Sequence, residues 1–249
     1  MKKTISVLAV ALAALGAAPE PETNESFTYN VVAVKRRLLL ASTGGELELK
    51  EGDKAQSGAS LRTGSRSSAD LVVAERAARF HIGTKTRFHL AAGKPGVLID
   101  VERGSLRAVF GKLPEGDQGE RLVTTPSAVL AVRGTDYGVE VEKDGDTTVV
   151  VFEGTVEIRD LAGLGDTLQV SAGQSTRIRK GRPPSAPTAH SLSTTDWDRG
   201  RRSERSLWND SQNQAPGERG AAGQSGATRQ GAESAPARPQ QGGSTRHGG

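Results

Sequence analysis

Cysteine is absent from the 249 residues, which excludes a disulfide framework, a thiolate metal centre and a lipid-attachment cysteine behind an export leader. Aromatic residues make up only 4% of the chain. A core must therefore be assembled from Val, Leu, Ile and Ala, whose β-branched members favour strands. No apolar run reaches the roughly 18 residues that a membrane-spanning helix needs, so the mature chain is expected to be soluble and without a transmembrane span. An excess of charge is also missing from the body of the chain. The formal net charge is +4, but from Arg182 onward nine arginines face six acids, so the preceding residues are close to neutral. A surplus this small identifies no anionic partner, and arginine–glycine pairs such as Arg219-Gly220 are too sparse to resemble an RNA-binding tract; nucleic acid is not an expected partner.

What is present begins with "MKKTISVLAVALAALGAAPEPE". Lys2 and Lys3 precede an apolar run from Ile5 to Ala18 that ends in small residues. This is the pattern of a secretory signal peptide over residues 1–18, and it predicts a periplasmic or secreted product. At the other end, composition shifts at Arg182. Residues 182–208 read as a linker with a docking segment, and residues 209–249, rich in Gly, Ser, Gln and Arg, lack the apolar surface needed to offset the entropy of ordering. That tail is expected to be disordered.

Between these ends, residues 27–181 are a succession of short apolar stretches, among them "ADLVV", "GVLIDV", "AVLAV", "TTVVVF" and "TVEIRD". Turn-formers such as "TGG", "EGD", "GKPG" and "KDGD" separate them. Strands of this length at this spacing predict an all-β domain, solenoid-like or sandwich-like. Two internal echoes refine it. "LIDVERGSLRAVF" and "VVVFEGTVEIRD" align with Gly104 opposite Gly154, each at a point where one strand breaks into the next. "RFHI" and "RFHL" repeat at a spacing of eight, which puts Phe80, Ile82, Phe88 and Leu90 on one face and Arg79, His81, Arg87 and His89 on the other, as stacked rungs or as a hairpin with an odd loop.

Candidate chemistry concentrates in "VRGTDYGVEV". Tyr137, Val139 and Val141 point one way and Gly138, Glu140 and Glu142 the other, the pattern of a strand with one buried face. Ahead of it, Arg133 and Asp136 are spaced to pair across Gly134, and Thr135 is placed to bond a backbone amide. No nucleophile with a general base lies beside them, so the stretch reads as a pinned corner and no catalytic residue is assigned. His81 and His89 lack the third ligand of a metal site, and neither a metal nor a cofactor is expected. Glu140, Glu142, Asp144 and Asp146 could furnish a glycosidase pair, but "KDGD" is also an ordinary hairpin turn with Asp144 and Gly145 at positive φ. In "STTDWDRGRRSERSLWND", the aromatics Trp197 and Trp208 with Arg201 and Arg202 have the composition of a partner-docking segment. The same segment could instead fold back as a strand or helix over an open edge of the β domain.

The run "TTPSAVLAVRGTDYGVEVEKDGDTTVVVFEGTVEIRD" followed by "LQVSAGQSTRI" resembles the FecR domain. The resemblance rests on Thr125 and Pro126, the Val132, Arg133, Gly134, Thr135 signature, Asp136 after it, Glu153 and Gly154 at the end of a Val-rich strand, and the closing Ala172, Gly173, Gln174. It extends over about residues 45–180. It implies an extracytoplasmic, twisted, solenoid-like β module whose family role is binding and signalling. FecR regulators of iron uptake carry a cytoplasmic domain and one membrane span ahead of this module; here the apolar run starts at residue 5, so control of a sigma factor is not expected. The expected function is that of an exported, non-catalytic envelope module that binds a protein or a cell-wall glycan; the rival is a carbohydrate-active envelope enzyme using the surface carboxylates.

Overall fold

In the computed structural model, residues 26–91, 93–112 and 119–202 are described. The expected signal peptide, residues 1–18, and the C-terminal tail expected to be disordered, with Trp208, lie outside them.

The chain is all-β and passes repeatedly between two layers. β1 (Thr28–Lys35) lies in the first layer, β2 (Leu38–Ser42) and β3 (Gly45–Leu49) in the second. β4 (Lys54–Gln56) returns to the first, β5 (Ser60–Thr63) crosses again, and β6 (Ser68–Val73) and β7 (Ala78–Ile82) return. β8 (Arg87–Leu90) belongs to the second layer. β9 (Val97–Phe110) starts there and finishes in the first. β10 (Leu122–Thr124) and β11 (Ala128–Val132) occupy the second layer, β12 (Asp136–Val141) and β13 (Thr147–Glu153) the first. β14 (Thr155–Asp160) and β15 (Leu168–Ser171) are in the second, and β16 (Gln174–Ile178) and β17 (Thr188–Ala189) close the first.

Hydrogen-bonded order in the first layer is β4-β1-β6-β7-β9-β12-β13-β16-β17. In the second it is β3-β2-β5-β8-β9-β10-β11-β14-β15. From β5 onward spatial order follows chain order in both layers, so the polypeptide winds forward as a solenoid does while its two layers face each other as in a sandwich. Neighbours are antiparallel except β9 and β10, which run parallel.

Side chains obey the alternation read from the sequence. In β6, Ala69, Leu71 and Val73 are buried and the residues between them are half-buried. Both layers contribute to one core, with Phe80 and Leu106 from the first and Phe88, Leu130 and Ile158 from the second. Aromatic contacts are few but central: Phe110 meets Phe80 edge-on and stacks on Tyr137, with ring centroids 5.8 and 6.2 Å apart. β13 departs from alternation. Thr147 to Val151 are all buried, because this strand is covered on its outer face as well.

The repeated "RFH" motifs turn out to be neither hairpin partners nor neighbours in one layer. β7 and β8 lie in opposite layers, joined by residues 83–86, and they share β9, β7 pairing with Leu106–Phe110 and β8 with Ile99–Arg103. The two glycines matched by the other echo both mark crossings. Gly104 has φ +103° in mid-β9 and a Cβ there would lie 2.5 Å from the Thr86 Cα; Gly154 has φ +78° and a Cβ would lie 2.7 Å from the Gly134 carbonyl oxygen. In the β12–β13 turn only Gly145 has positive φ. Asp144 does not; its Oδ1 accepts from the Asp146 amide at 3.1 Å instead, a local bond that shapes the turn without left-handed backbone.

The two core tyrosines should respond differently to loss of the hydroxyl. Tyr29 donates to the Leu98 carbonyl, whereas the Tyr137 hydroxyl is buried with no partner among the described residues. Tyr29→Phe should cost about 1 kcal/mol, and Tyr137→Phe should leave stability equal or higher. Denaturant melts of the two variants check this, and a larger loss for Tyr137→Phe would contradict it.

Candidate functional site

The antiparallel registers align Asp70, His81, Arg107, Gly138, Val150 and Ser175 as one row across the outer face of the first layer. Gly138 is a gap in this row. Into it the chain folds its own Trp197, carried by α1 (Thr194–Asp198), which Ser193 caps by accepting from the Asp196 amide at 3.1 Å. Trp197 is 2% exposed. Its Nε1 donates to the Leu106 carbonyl at 3.2 Å, and its ring packs edge-on against Phe152 and beside Val150 and Leu192. A Cβ on residue 138 would lie 2.2 Å from Trp197 Cε2, so only glycine admits the indole.

Arg107 ties this strap to the signature. Its Nε and Nη2 donate to the two oxygens of Asp136 at 2.8 and 2.6 Å, and its Nη1 donates to Asp198 Oδ2 at 2.8 Å. The forked guanidinium meets the Asp136 carboxylate with two parallel bonds, the strongest geometry available to such a pair. Arg202 lies over the Trp197 ring, 4.4 Å from its centroid, with Glu140 Oε2 3.5 Å from Nε and Ser105 Oγ 3.3 Å from Nη2. Arg201 stays at the surface, 4.0 Å from Asp196. Trp197 and Arg202 are thus turned onto the chain's own sheet face, the fold-back arrangement, and what they cover is a face and not an open edge.

The signature residues sit at corners. Gly134, at φ +62°, turns the chain from β11 to β12; Gly154 and Gly173, at +78° and +80°, make the next two crossings. Arg133 is exposed and, among the described residues, has no ion pair, so the expected Arg133–Asp136 bridge is not formed: Asp136 faces outward on β12 toward Arg107 on the adjacent strand. Thr135 is buried, its hydroxyl has no partner among the described residues, and its carbonyl accepts from the Phe110 amide at 2.8 Å. Thr125 Oγ1 accepts from the Ala128 amide at 3.0 Å and from the Thr147 hydroxyl at 3.0 Å, pinning the Pro126 turn against β13. Glu153 is exposed beside Gly154, and Gln174 Oε1 accepts from the Ser171 amide at 3.0 Å.

Carboxylates in this region are held by cations. Arg177 lies 2.8 Å from Glu142 and 3.4 Å from Asp146, and Asp146 also accepts from the Lys180 amide. His81 and His89 are in opposite layers and have separate partners, Asp70 at 2.8 Å for His81 and Glu102 at 2.5 Å for His89. No group of three or more His, Asp or Glu among the described residues is placed to hold a metal ion. The hydrogen bond that His81 donates to Asp70 pushes the imidazole above its ordinary value, against an opposing effect of burial; Asp198 adds to the rise and Arg107 subtracts from it.

Arg107, Asp198 and the His81–Asp70 pair were not singled out as a site by sequence reasoning. Gly138 was the available signal, since an isolated glycine inside a strand marks a close approach.

Residues 59–157 match the family model described as FecR protein. These residues form a FecR domain. The FecR match begins just before β5 and ends within β14, so it includes the Gly104, Gly134 and Gly154 crossings and stops before the strap. Two crystal structures, at 2.50 and 1.65 Å, of a candidate anti-sigma factor from Parabacteroides distasonis are similar at 13% identity and a TM-score of 0.43, covering 52% of this chain and 59% of that one. No curated protein matches.

Two outcomes test the strap and the row beneath it. In a Trp208→Phe background, which leaves Trp197 as the sole indole, Gly138→Ala should expel that side chain, shift its fluorescence to the red and lower stability by about 1–3 kcal/mol. An unshifted spectrum would contradict the docking. Because the His81 value is raised on folding, its bond to Asp70 stabilises fully below the ordinary imidazole value and fades as pH rises through the raised one. Asp70→Asn should therefore lower the melting temperature more at pH 6 than at pH 9; equal losses would refute the pairing.

Proposed function

We propose that this FecR-domain protein is exported and acts in the cell envelope as a non-catalytic binding, scaffold or signalling module for a protein or cell-wall glycan partner. The family match supports a regulatory and signalling role for the domain, and the leader-like first 18 residues support export. The observation that carries the non-catalytic reading is the use of the charged side chains. Asp136, Glu140, Glu142 and Asp146 each face an arginine, and the signature glycines serve crossings, so these four acids are engaged in ion pairs and are not the free, opposed carboxylates that glycoside hydrolysis requires.

Fractionation of cells expressing the full chain, with mass spectrometry of its N-terminus, should find it outside the cytoplasm and cut near Gly16 to Ala18. Retention in the cytoplasm at full length would overturn export. Incubated with peptidoglycan or anionic cell-wall polymers, the purified protein should release no product. Turnover abolished by Glu142→Gln would establish the carbohydrate-active alternative.

A further inference from the structure

A cleft of about 550 Å³ opens beside the strap, between the end of β1, the β5–β6 and β7–β8 corners and the residues that follow α1. Four exposed cations line it: Lys35, Arg66, Lys85 and Arg199. None of the four has an ion pair among the described residues. The acid in the lining, Asp198, accepts from Arg107 through Oδ2, while its Oδ1 is buried with no partner among the described residues. His81 and Arg202 also line the cleft, and His81 Nε2 and Arg202 Nη1 are buried nitrogens with no hydrogen-bond partner among the described residues. Ser65, Ser68 and Ser105 supply hydroxyls.

The walls are built, not loose. Thr84 Oγ1 accepts from the Arg66 amide at 2.8 Å and donates to the Gly64 carbonyl at 3.1 Å, and the Lys85 amide donates to the same carbonyl at 3.0 Å. Arg66 and Lys85 both hold left-handed backbone, φ +57° and +52°, where the crossings of the C-terminal half use glycine. Such backbone disfavours a side chain, yet both corners carry a cation.

We propose that this cleft binds a saccharide bearing phosphate or carboxylate groups. Its volume suits a small polar ligand or a unit of a chain. Its concavity disfavours a flat membrane surface, and the indole in its wall, buried under Arg202, offers no apolar anchor for a peptide. The inference deepens the binding-module reading and rests on it, but it is tested separately: a failed titration removes this ligand and leaves export and turnover to their own measurements.

The full chain is titrated calorimetrically at low salt with glucose 6-phosphate and with trigalacturonate, alongside glucose, inorganic phosphate and a hexaglutamate peptide. At least one charged sugar should bind, more tightly than glucose, phosphate or peptide, and weaken as salt is added. The double variant Arg66→Gly, Lys85→Gly should bind it at least tenfold more weakly while melting at the same temperature or higher, since glycine suits the left-handed corners. Silence with both charged sugars, equal affinity for inorganic phosphate, tighter binding of the peptide, or unchanged affinity in the double variant would each overturn the proposal.

Discussion

Changing layers without losing the strand ladder is the constraint on which this fold depends. An extended chain cannot turn from one layer to the facing one within a few residues; one residue in the left-handed region supplies the kink. Each crossing that lies within the described residues has one, from Arg36, Gly52, Gly58, Arg66 and Lys85 in the N-terminal half to Gly104, Gly134, Gly154 and Gly173 beyond it. The corners also stack. The Gly134 carbonyl oxygen lies 2.7 Å from where a Cβ of residue 154 would be, and the Thr86 Cα 2.5 Å from where one of residue 104 would be. A side chain at either glycine would separate successive turns of the winding and open the core between them, so the need for glycine there is steric as well as conformational.

The outer row depends on a different interaction, the fork of Arg107. One guanidinium satisfies both oxygens of Asp136 and one of Asp198. It thereby fastens the signature strand to a segment that lies 91 residues beyond Arg107 in sequence. An arginine shared in this way holds its position because all three bonds constrain the same planar group. Trp197 then buries its apolar surface in the space left by Gly138, which explains why β13 is apolar on both faces.

Much of the fold was legible in the sequence because alternation specifies which side chains face inward. It does not specify which layer a strand joins. Phe80, Ile82, Phe88 and Leu90 satisfy the same pattern whether β7 and β8 are neighbours or face each other across the core, and the structure takes the second arrangement. The match of Gly104 with Gly154 was readable because both serve the same crossing geometry. Arg133 and Asp136 misled for a related reason. Three residues apart in the chain, they are separated by the corner itself, after which Asp136 lies diagonally across the ladder from Arg107, a contact made by registry that spacing cannot reveal. The fold-back of Trp197 was one of two readings that its sequence context allowed, and the residue that receives the indole, Gly138, lay some sixty residues earlier.

The corners that are not glycine are informative for the same physical reason. Arg36, Arg66 and Lys85 are all cationic and exposed, and left-handed backbone costs a residue with a side chain roughly 1–2 kcal/mol relative to its preferred regions. Packing does not offset that cost, because the side chains point to solvent. Pairing does not offset it either, because among the described residues none of the three has an ion pair. Lys35 beside Arg36 adds like-charge repulsion at short range. Two of these corners, Arg66 and Lys85, line one cleft with Lys35 and Arg199, and an anion seated between them would relieve the repulsion and recover part of the backbone cost together.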